Sequence, residues 1–516
     1  MRSQSGDTVS LWLATAGTLD FPRLESDAHA DVCVIGAGIA GLSVAYELAC
    51  AGRSVIVIDR AGIGDGMTGR TTAQFTNAFD DRYAHMEHVH GGEAARLLAE
   101  SHTWAIERTA KIVAHEHIDC DVERLDGWLF AELGDKSELL EQELEAVSRA
   151  NVPGVSLERR APLAHETGPA LRFANQLQLH PVKLLHGLAR AIERRGGRIH
   201  AHTHADVIEG GEPCRIQTER GPTITARAVV VATNSPVNDL AVIHTKQVAW
   251  QTYVVVARVP RGSVARAIFW DTEDPYHYVR LASDPGNSDA DFLIVGGEDH
   301  RTGQDDEPEA RWTKLETWMR GVFPTAGPIV NRWSGEVLEP VDGLAFIGRN
   351  PLDDEHVYIV TGDSGNGMTH GVIAGRVITD LIEGRDNRWA DLYDPRRRSL
   401  RTTGTYIREN LIIAREYGAW FAKGDVADAS EIPRGEGAIL RRGLNLFAVY
   451  VDERGTAHES SAACPHMGCV VRWNGAERSW DCPCHGSRFD ALGQVTHGPA
   501  ISGLKKGADV RGGSAT

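Results

Sequence analysis

The sequence predicts a large α/β unit over about residues 30–395 with an inserted mixed sheet, followed by a helical linker and a small all-β domain from about residue 431. Three observations carry that expectation. Strand, glycine-rich turn, helix and strand follow one another near the start, which makes a βαβ unit. Strand-like and helix-like segments then alternate as far as residue 385. Beyond residue 431 the pattern changes to short strands and turns.

Residues 31–35 (DVCVI) are an apolar run closed by Gly36, too brief for a helix, and residues 39–50 carry helical character. A second buried strand, 55–58, ends at Asp59. Helix-forming composition occupies 91–118 and 135–150, and 184–195 reads as a helix ended by Gly196-Gly197. Segments 225–232, 251–258 and 292–296 read as strands. The buried strand 357–361 leads into a glycine-rich turn and a helix over about 368–383. Asp394-Pro395 and Arg396-Arg397-Arg398 mark a boundary, after which Tyr406, Ile413, Tyr417 and Trp420 recur at the spacing of one amphipathic helix. The division that results is an extension (1–29), the α/β unit (30–395), a linker (396–430) and the β domain (431–516). Within the unit, a cradle is expected near 30–75, 180–245 and 330–395, and a substrate part near 76–179 and 246–329.

The chain has 516 residues with a formal net charge of −17, so it offers no basic surface to phosphate backbones and nucleic acid is not an expected partner. Its most apolar long window, 32–51, is broken by Gly36, Gly38 and Gly41, and no membrane span is expected. The first twenty residues hold Asp7 and only a short apolar patch, Leu11 to Leu13, which does not read as a secretory signal. A cytoplasmic address is the expectation.

Gly36-Ala37-Gly38-Ile39-Ala40-Gly41 is G-x-G-x-x-G after a strand and at the start of a helix, with Asp59 placed 18 residues after Gly41 at the end of the next strand. Glycines there permit a tight turn, close approach of backbone to pyrophosphate and close helix packing, while the acid accepts a ribose hydroxyl hydrogen bond. Dinucleotide binding follows. Residues 62–74 (GIGDGMTGRTTAQ), 228–236 (AVVVATNSP) and 357–371 (VYIVTGDSGNGMTHG) resemble the D-amino-acid oxidase and glycine oxidase family of flavoproteins, over about residues 30–395. The resemblance implies FAD, with contacts from Arg60, Thr68, Arg70, Thr71, Thr72, Ala73, Ala205, Ala232 and Thr233 besides the cradle itself. It also sets Gly365, Gly367, Met368 and Thr369 against the flavin pyrimidine, where a helix N-terminus stabilises negative charge. Residues 140–200 contain no second such glycine motif, which favours FAD without NAD(P)H. Arg70 stands where some relatives carry a linking His, so the flavin is expected to be non-covalent. Ile294 stands where oxidases of the sarcosine type carry a Lys, which suits a dehydrogenase with a poor oxygen reaction. Candidate catalytic residues on the inserted sheet are Trp250, Tyr276, His277, Tyr278 and Arg280, with Tyr253, Trp270 and Asp271 beside them. Arg280 suits a bidentate hold on a carboxylate and the aromatics suit a box around a cation. Aromatics at alternating strand positions also serve as plain core. His85, His88, His90, His115 and His117 lack acidic or Cys partners at ligand spacing and read as solvated surface.

Cys464-Pro465-His466 and Cys482-Pro483-Cys484-His485 give C-x-H, fifteen intervening residues, then C-x-x-H. Two thiolates and two imidazoles, Cys464, His466, Cys482 and His485, suit a 2Fe-2S cluster of Rieske type, and Cys₂His₂ zinc is the competing reading. The flanks CPHMGC and CPCHGS resemble the Rieske family over about residues 431–510, which implies the cluster. That resemblance places Cys469 and Cys484 where Rieske proteins of cytochrome bc complexes carry a disulfide, and Ser487 where a family serine hydrogen-bonds cluster sulfur. Two free thiols are the alternative in a reducing compartment.

Together the resemblances imply a FAD-dependent dehydrogenase that oxidises a C–N bond of an amine or amino acid. Electrons would pass through the cluster to an external acceptor such as a ferredoxin-like protein or a quinone. The rivals are an electron-transfer component with no small-molecule substrate of its own and a redox protein whose flavin is structural.

Overall fold

The computed structural model describes residues 8–134, 137–238, 242–305, 307–351, 353–399 and 401–507, so both ends of the sequence-derived division, 1–7 and 508–516, lie outside the described residues. The first sheet runs, in spatial order, Phe346–Arg349, Val357–Thr361, Thr223–Val231, Ala28–Ile35, Val55–Ile58 and Arg198–His200. Along this order all neighbours pair in parallel except the first two, and two antiparallel strands complete the eight, Cys214–Thr218 pairing with Thr223–Val231 and Ala205–Glu209 with Cys214–Thr218. Parallel strands are covered on both faces and read as unbroken apolar runs, which is why VIVI and VVV were legible without alternation. Alternate residues enter different cores. Val32, Val34, Val55 and Val57 pack with the helices Ile39–Cys50, Pro181–Arg194 and Gly367–Ile382, while Cys33, Ile35, Ile56 and Ile58 fill a second cluster on the other face.

The second sheet has nine strands, ordered Ile329–Pro340, Gln247–Pro260, Ala290–Arg301, His277–Ser283, Ile268–Asp271, Glu123–Phe130, Ala170–Gln178 and Gln74–Phe75, with Val155–Glu158 beside Ala170–Gln178. One face packs on the helix Pro308–Val322 through Tyr253, Val255, Leu293 and Trp312, and the other encloses Val254, Val256, Ile294 and Trp333. The strand Ile329–Pro340 pairs along Gln247–Pro260, so this sheet continues past the boundary expected near 330. Its strands are also longer than their apolar centres, because pairing on both sides carries the polar ends along. The helix expected from residue 184 starts at Pro181, where His180 caps it by accepting from the Lys183 amide.

Near the N-terminus a short helix, Leu11–Thr15, buries Leu11 and Trp12 against that second face. After the linker helix Thr403–Glu416, the C-terminal domain consists of a three-stranded sheet (Gly437–Arg442, Asn445–Val451, Ala457–Ser461) and a four-stranded one from Arg472–Asn474 to Val495–His497. No helix among the described residues is long and apolar enough to cross a membrane.

Candidate flavin and cluster sites

Gly36 turns with φ +110°, and a Cβ there would run into the carbonyl of Ala232. A Cβ on Gly41 would meet the carbonyl of Gly36, so the helix Ile39–Cys50 can lie close under the turn only with glycine at that place. The carboxylate of Asp59 accepts from the Ala37 amide at 2.6 Å and the Ala61 amide at 2.7 Å. Burial pushes the Asp59 carboxyl up, and these two amides pull it back. The Thr68 hydroxyl accepts from the Ile39 amide at 3.0 Å.

A single long cavity runs from Gly36, Gly38 and Asp59 to Gly365, Gly367 and Met368. At its far end Gly365 holds φ +72°, and the helix Gly367–Ile382 opens with no side-chain cap, its first residues Gly367 and Met368 lining the cavity. Two backbone cradles, one for a pyrophosphate and one for an electron-rich ring edge, fit FAD. Ile39, Ala40, Arg60 and Thr68 line this cavity, as do Arg70, Thr71, Thr72, Ala205, Ala232 and Thr233. Three expected contacts stand off it. Gly41 lies under Gly36, Ala73 gives its carbonyl to Arg280, and Thr369 is buried within its helix.

Tyr276, Tyr278 and Trp270 form a wall of the cavity. The Tyr276 hydroxyl donates to Asp80 at 3.1 Å, and the Tyr278 hydroxyl meets that of Thr252 at 2.7 Å. The other three candidate catalytic residues do not line the cavity, which corrects the expectation. His277 hydrogen-bonds Asp271 at 2.7 Å and stacks on Trp318 at 4.1 Å, because alternation along its strand turns it away from Tyr276 and Tyr278. The Arg280 guanidinium donates through Nη1 to the carbonyls of Thr72 (2.8 Å), Ala73 (2.8 Å) and Leu179 (3.0 Å) and lies over the Trp12 ring, so it braces backbone instead of holding a carboxylate. Burial brings its pKa down to about 9. Trp250 carries the Arg301 guanidinium 5.3 Å above its ring. Sequence reasoning missed Asp80, Asp299 and Asp363, which do line the cavity. Asp80 and Asp299 each stand beside a second acid (Asp81, Glu298) and Asp363 lies in the glycine-rich turn after strand 357–361, but no spacing along the chain brings the three to one cavity.

In the C-terminal domain Cys464 and Cys482 are buried free thiols whose sulfurs are hydrogen-bonded to each other. The rings of His466 and His485 lie 5.0 Å apart, and the buried Nδ1 of His485 makes no hydrogen bond. Cys469 and Cys484 form a disulfide, so although both sulfurs lie within 4.8 Å of the Cys482 sulfur they are not thiolate ligands. The Ser487 hydroxyl bonds the Cys464 sulfur and accepts from the Ala500 amide at 3.0 Å. Two thiols and two imidazoles from facing loops, clasped by a disulfide, fit a 2Fe-2S cluster.

The two sites adjoin. Thr496, His497, Gly498 and Ala500 of the C-terminal domain line the cavity. Arg60 donates to the Thr496 carbonyl, and His497 meets Asn234 at 3.2 Å and Glu336 at 3.0 Å. His244 of the α/β unit places its ring 4.9 Å from that of His466 and 5.9 Å from that of His485.

Comparison with known proteins agrees with both cofactors. The family model described as FAD dependent oxidoreductase matches residues 31–381, and that of the Rieske 2Fe-2S domain matches residues 422–507. A Bacillus subtilis protein named as a Rieske 2Fe-2S iron-sulfur protein, YhfW, is 29% identical over 498 residues, covering 96% of each chain. Gamma-glutamylputrescine oxidoreductase of Escherichia coli is 28% identical over 402 residues, 74% of this chain and 90% of its own. Among solved structures, glycine oxidase from Geobacillus kaustophilus superimposes with a TM-score of 0.59 at 17% identity, over 72% of this chain and 99% of its own, a likeness of fold.

Proposed function

This chain belongs to the FAD-dependent oxidoreductase family and carries a C-terminal Rieske 2Fe-2S domain, and from that premise we propose that it oxidises a C–N bond of an amine or amino acid and relays the electrons through the C-terminal domain to an external one-electron acceptor. The observation that carries the proposal is the shared cavity wall: the strand and turn after the second cluster loop, Thr496 to Ala500, close the same cavity that the glycine cradle opens. Bound FAD supplies a hydride acceptor and the cluster a one-electron relay.

The protein's part is placement. The Gly36–Gly41 turn and Asp59 fix one end of the cofactor, the uncapped helix start at Gly367 lines the other, and Tyr276, Tyr278 and Trp270 bound the remaining space. Hydride leaves a carbon whose neighbouring nitrogen holds a lone pair, so the site has to accept a proton from an ammonium before oxidation. His244 stands against both cluster imidazoles from the flavin side, which supports an intramolecular route.

Anaerobic mixing with a panel of amines and amino acids tests this. Flavin bleaching is expected first, followed by the electron paramagnetic resonance signal of a reduced cluster. Cluster reduction before flavin bleaching, or no bleaching with any C–N substrate, would instead favour an electron-transfer component.

A further inference from the structure

From the charge of the cavity's inner end we infer that the substrate enters as a cationic amine with no carboxylate on the reacting carbon. This rests on the reading of the cavity as the site of C–N oxidation. Asp80, Asp299 and Asp363 line the cavity together with Tyr276, Tyr278 and Trp270. Asp80 lies directly against Gly365, the turn that opens the flavin-side helix, so the acids stand at the reacting end and not at the nucleotide end. Asp299 takes a hydrogen bond from Thr252, but its Oδ1 has essentially no accessible surface and no partner of its own. A buried carboxylate oxygen without a donor is a costly group to leave unmet, and an ammonium N–H meets it.

Among the described residues this end of the cavity presents no free Arg or Lys to a substrate carboxylate. Among the described residues lining the cavity the only Arg and Lys side chains are Arg60 and Arg70. Arg60 donates to the Thr496 carbonyl, and Arg70 to Ser334, Thr8 and Glu477. Arg280 is spent on three carbonyls behind the wall. His370 also lines the cavity, but burial holds its imidazole neutral. A carboxylate brought beside Asp80 and Asp299 would meet like charges with no compensating cation, whereas a cation is met by acids and by aromatic faces.

The acids also suit the proton step. Burial first, and then Asp81, pushes the Asp80 carboxyl up to about 7; burial and then Glu298 push Asp299 up to about 6. A bound ammonium can therefore pass its N–H proton to a carboxylate oxygen, the N–H bond breaking as the O–H bond forms, and the freed lone pair stays on nitrogen.

The test uses the purified chain carrying both cofactors, under argon. Butane-1,4-diamine and butylamine are expected to bleach the flavin at least about tenfold faster than glycine or alanine at equal concentration, a difference of about 1.4 kcal/mol. Tetramethylammonium, which has no lone pair to support hydride loss, is expected to raise the melting temperature of the parent. That rise should disappear in Asp299→Asn and in Asp80→Asn, both of which should retain FAD absorbance. Faster bleaching by glycine or alanine than by the amines would overturn the inference and leave C–N oxidation standing. An undiminished tetramethylammonium shift in both Asn variants would overturn it as well. A cation shift that depends on these acids, with no bleaching by either class, would support the cationic chamber and refute oxidation at it.

Discussion

Arg70 and Glu477 form an ion pair, 3.2 Å from Nη1 to Oε1, with both side chains wholly buried although one belongs to the flavin cradle and the other to the cluster domain. Ser334 donates to the same carboxylate, and the Thr8 hydroxyl does so at 2.6 Å, so three separate stretches of chain converge on it. Burial alone would push the Glu477 carboxyl up, but Arg70 and Arg488 hold it below the usual range.

Glu477→Gln should therefore loosen the docking of the two units. Removing one partner of a buried pair costs about 3–5 kcal/mol, because the remaining charge is left uncompensated. The expected record is a lower melting temperature and faster proteolysis near residues 396–430, with the cluster still assembled. The parent's own contribution from this carboxylate is present above the unfolded value near pH 4.3 and is lost as pH falls through the lower folded value. Unchanged proteolysis in the variant would show that the pair does not hold the domains together.

The inner cavity acids predict the opposite sign. Burial, then Asp81 and Asp299, raises Asp80 to about 7, and burial raises Asp299 and Asp363 to about 6. Glu339 is raised by burial and by the same acids, while the Tyr276 hydroxyl and Arg82 act the other way on Asp80. Folded-state values above the unfolded value of about 3.9 mean that the native chain binds extra protons, so this contribution is complete below about pH 4 and is lost as pH rises through 6 to 7. The melting temperature of the substrate-free, cofactor-loaded protein should fall over that interval at constant ionic strength. Asp80→Asn should flatten the fall; an equally steep fall in that variant would assign it elsewhere.

His244→Ala tests the contact between the units at the cluster. The imidazole packs edge-on against the rings of His466 and His485, so its loss removes a direct packing path while leaving both of those residues in place. The cluster should assemble with a normal electron paramagnetic resonance spectrum, and cluster reduction after flavin bleaching should slow about tenfold, equivalent to about 1.4 kcal/mol on the barrier. Slower bleaching of the flavin itself would point to a different role.

The parallel strands 31–35 and 55–58 and the turn between them were legible because burial on both faces leaves an apolar run that glycine ends sharply. The Rieske domain was legible because two short loops carry the donor set that such a cluster calls for. What the sequence hid is long-range. The strand Ile329–Pro340 includes Asn331, Arg332, Glu336 and Glu339, and Glu336 lies 3.0 Å from His497 of the C-terminal domain, an approach that no local pattern reports. Arg280 carried the right chemistry for a carboxylate clamp, yet the carbonyls of residues 72, 73 and 179 reach it first, and no spacing along the chain reports that. The burial of Trp12, whose indole donates to the Thr71 carbonyl at 2.6 Å, was hidden for the same reason.

Cys482→Ala separates the two half-reactions. The glycine cradle lies wholly before residue 395 and all four proposed cluster ligands lie after it, so losing one of the two thiols is expected to remove the cluster without altering a residue of the cradle. The domain should remain folded enough to close the cavity, since the Cys469–Cys484 disulfide and the Arg70–Glu477 pair do not depend on that thiol. Substrate should then bleach the flavin in a single turnover at a rate near that of the parent, while steady turnover with a one-electron acceptor such as ferricyanide falls at least about tenfold. Stopped-flow absorbance reads the first quantity and acceptor reduction the second. Parent-like turnover in the variant would mean that the acceptor takes electrons at the flavin cavity directly, and loss of bleaching with FAD still bound would mean that the C-terminal domain shapes the substrate site as well as draining it.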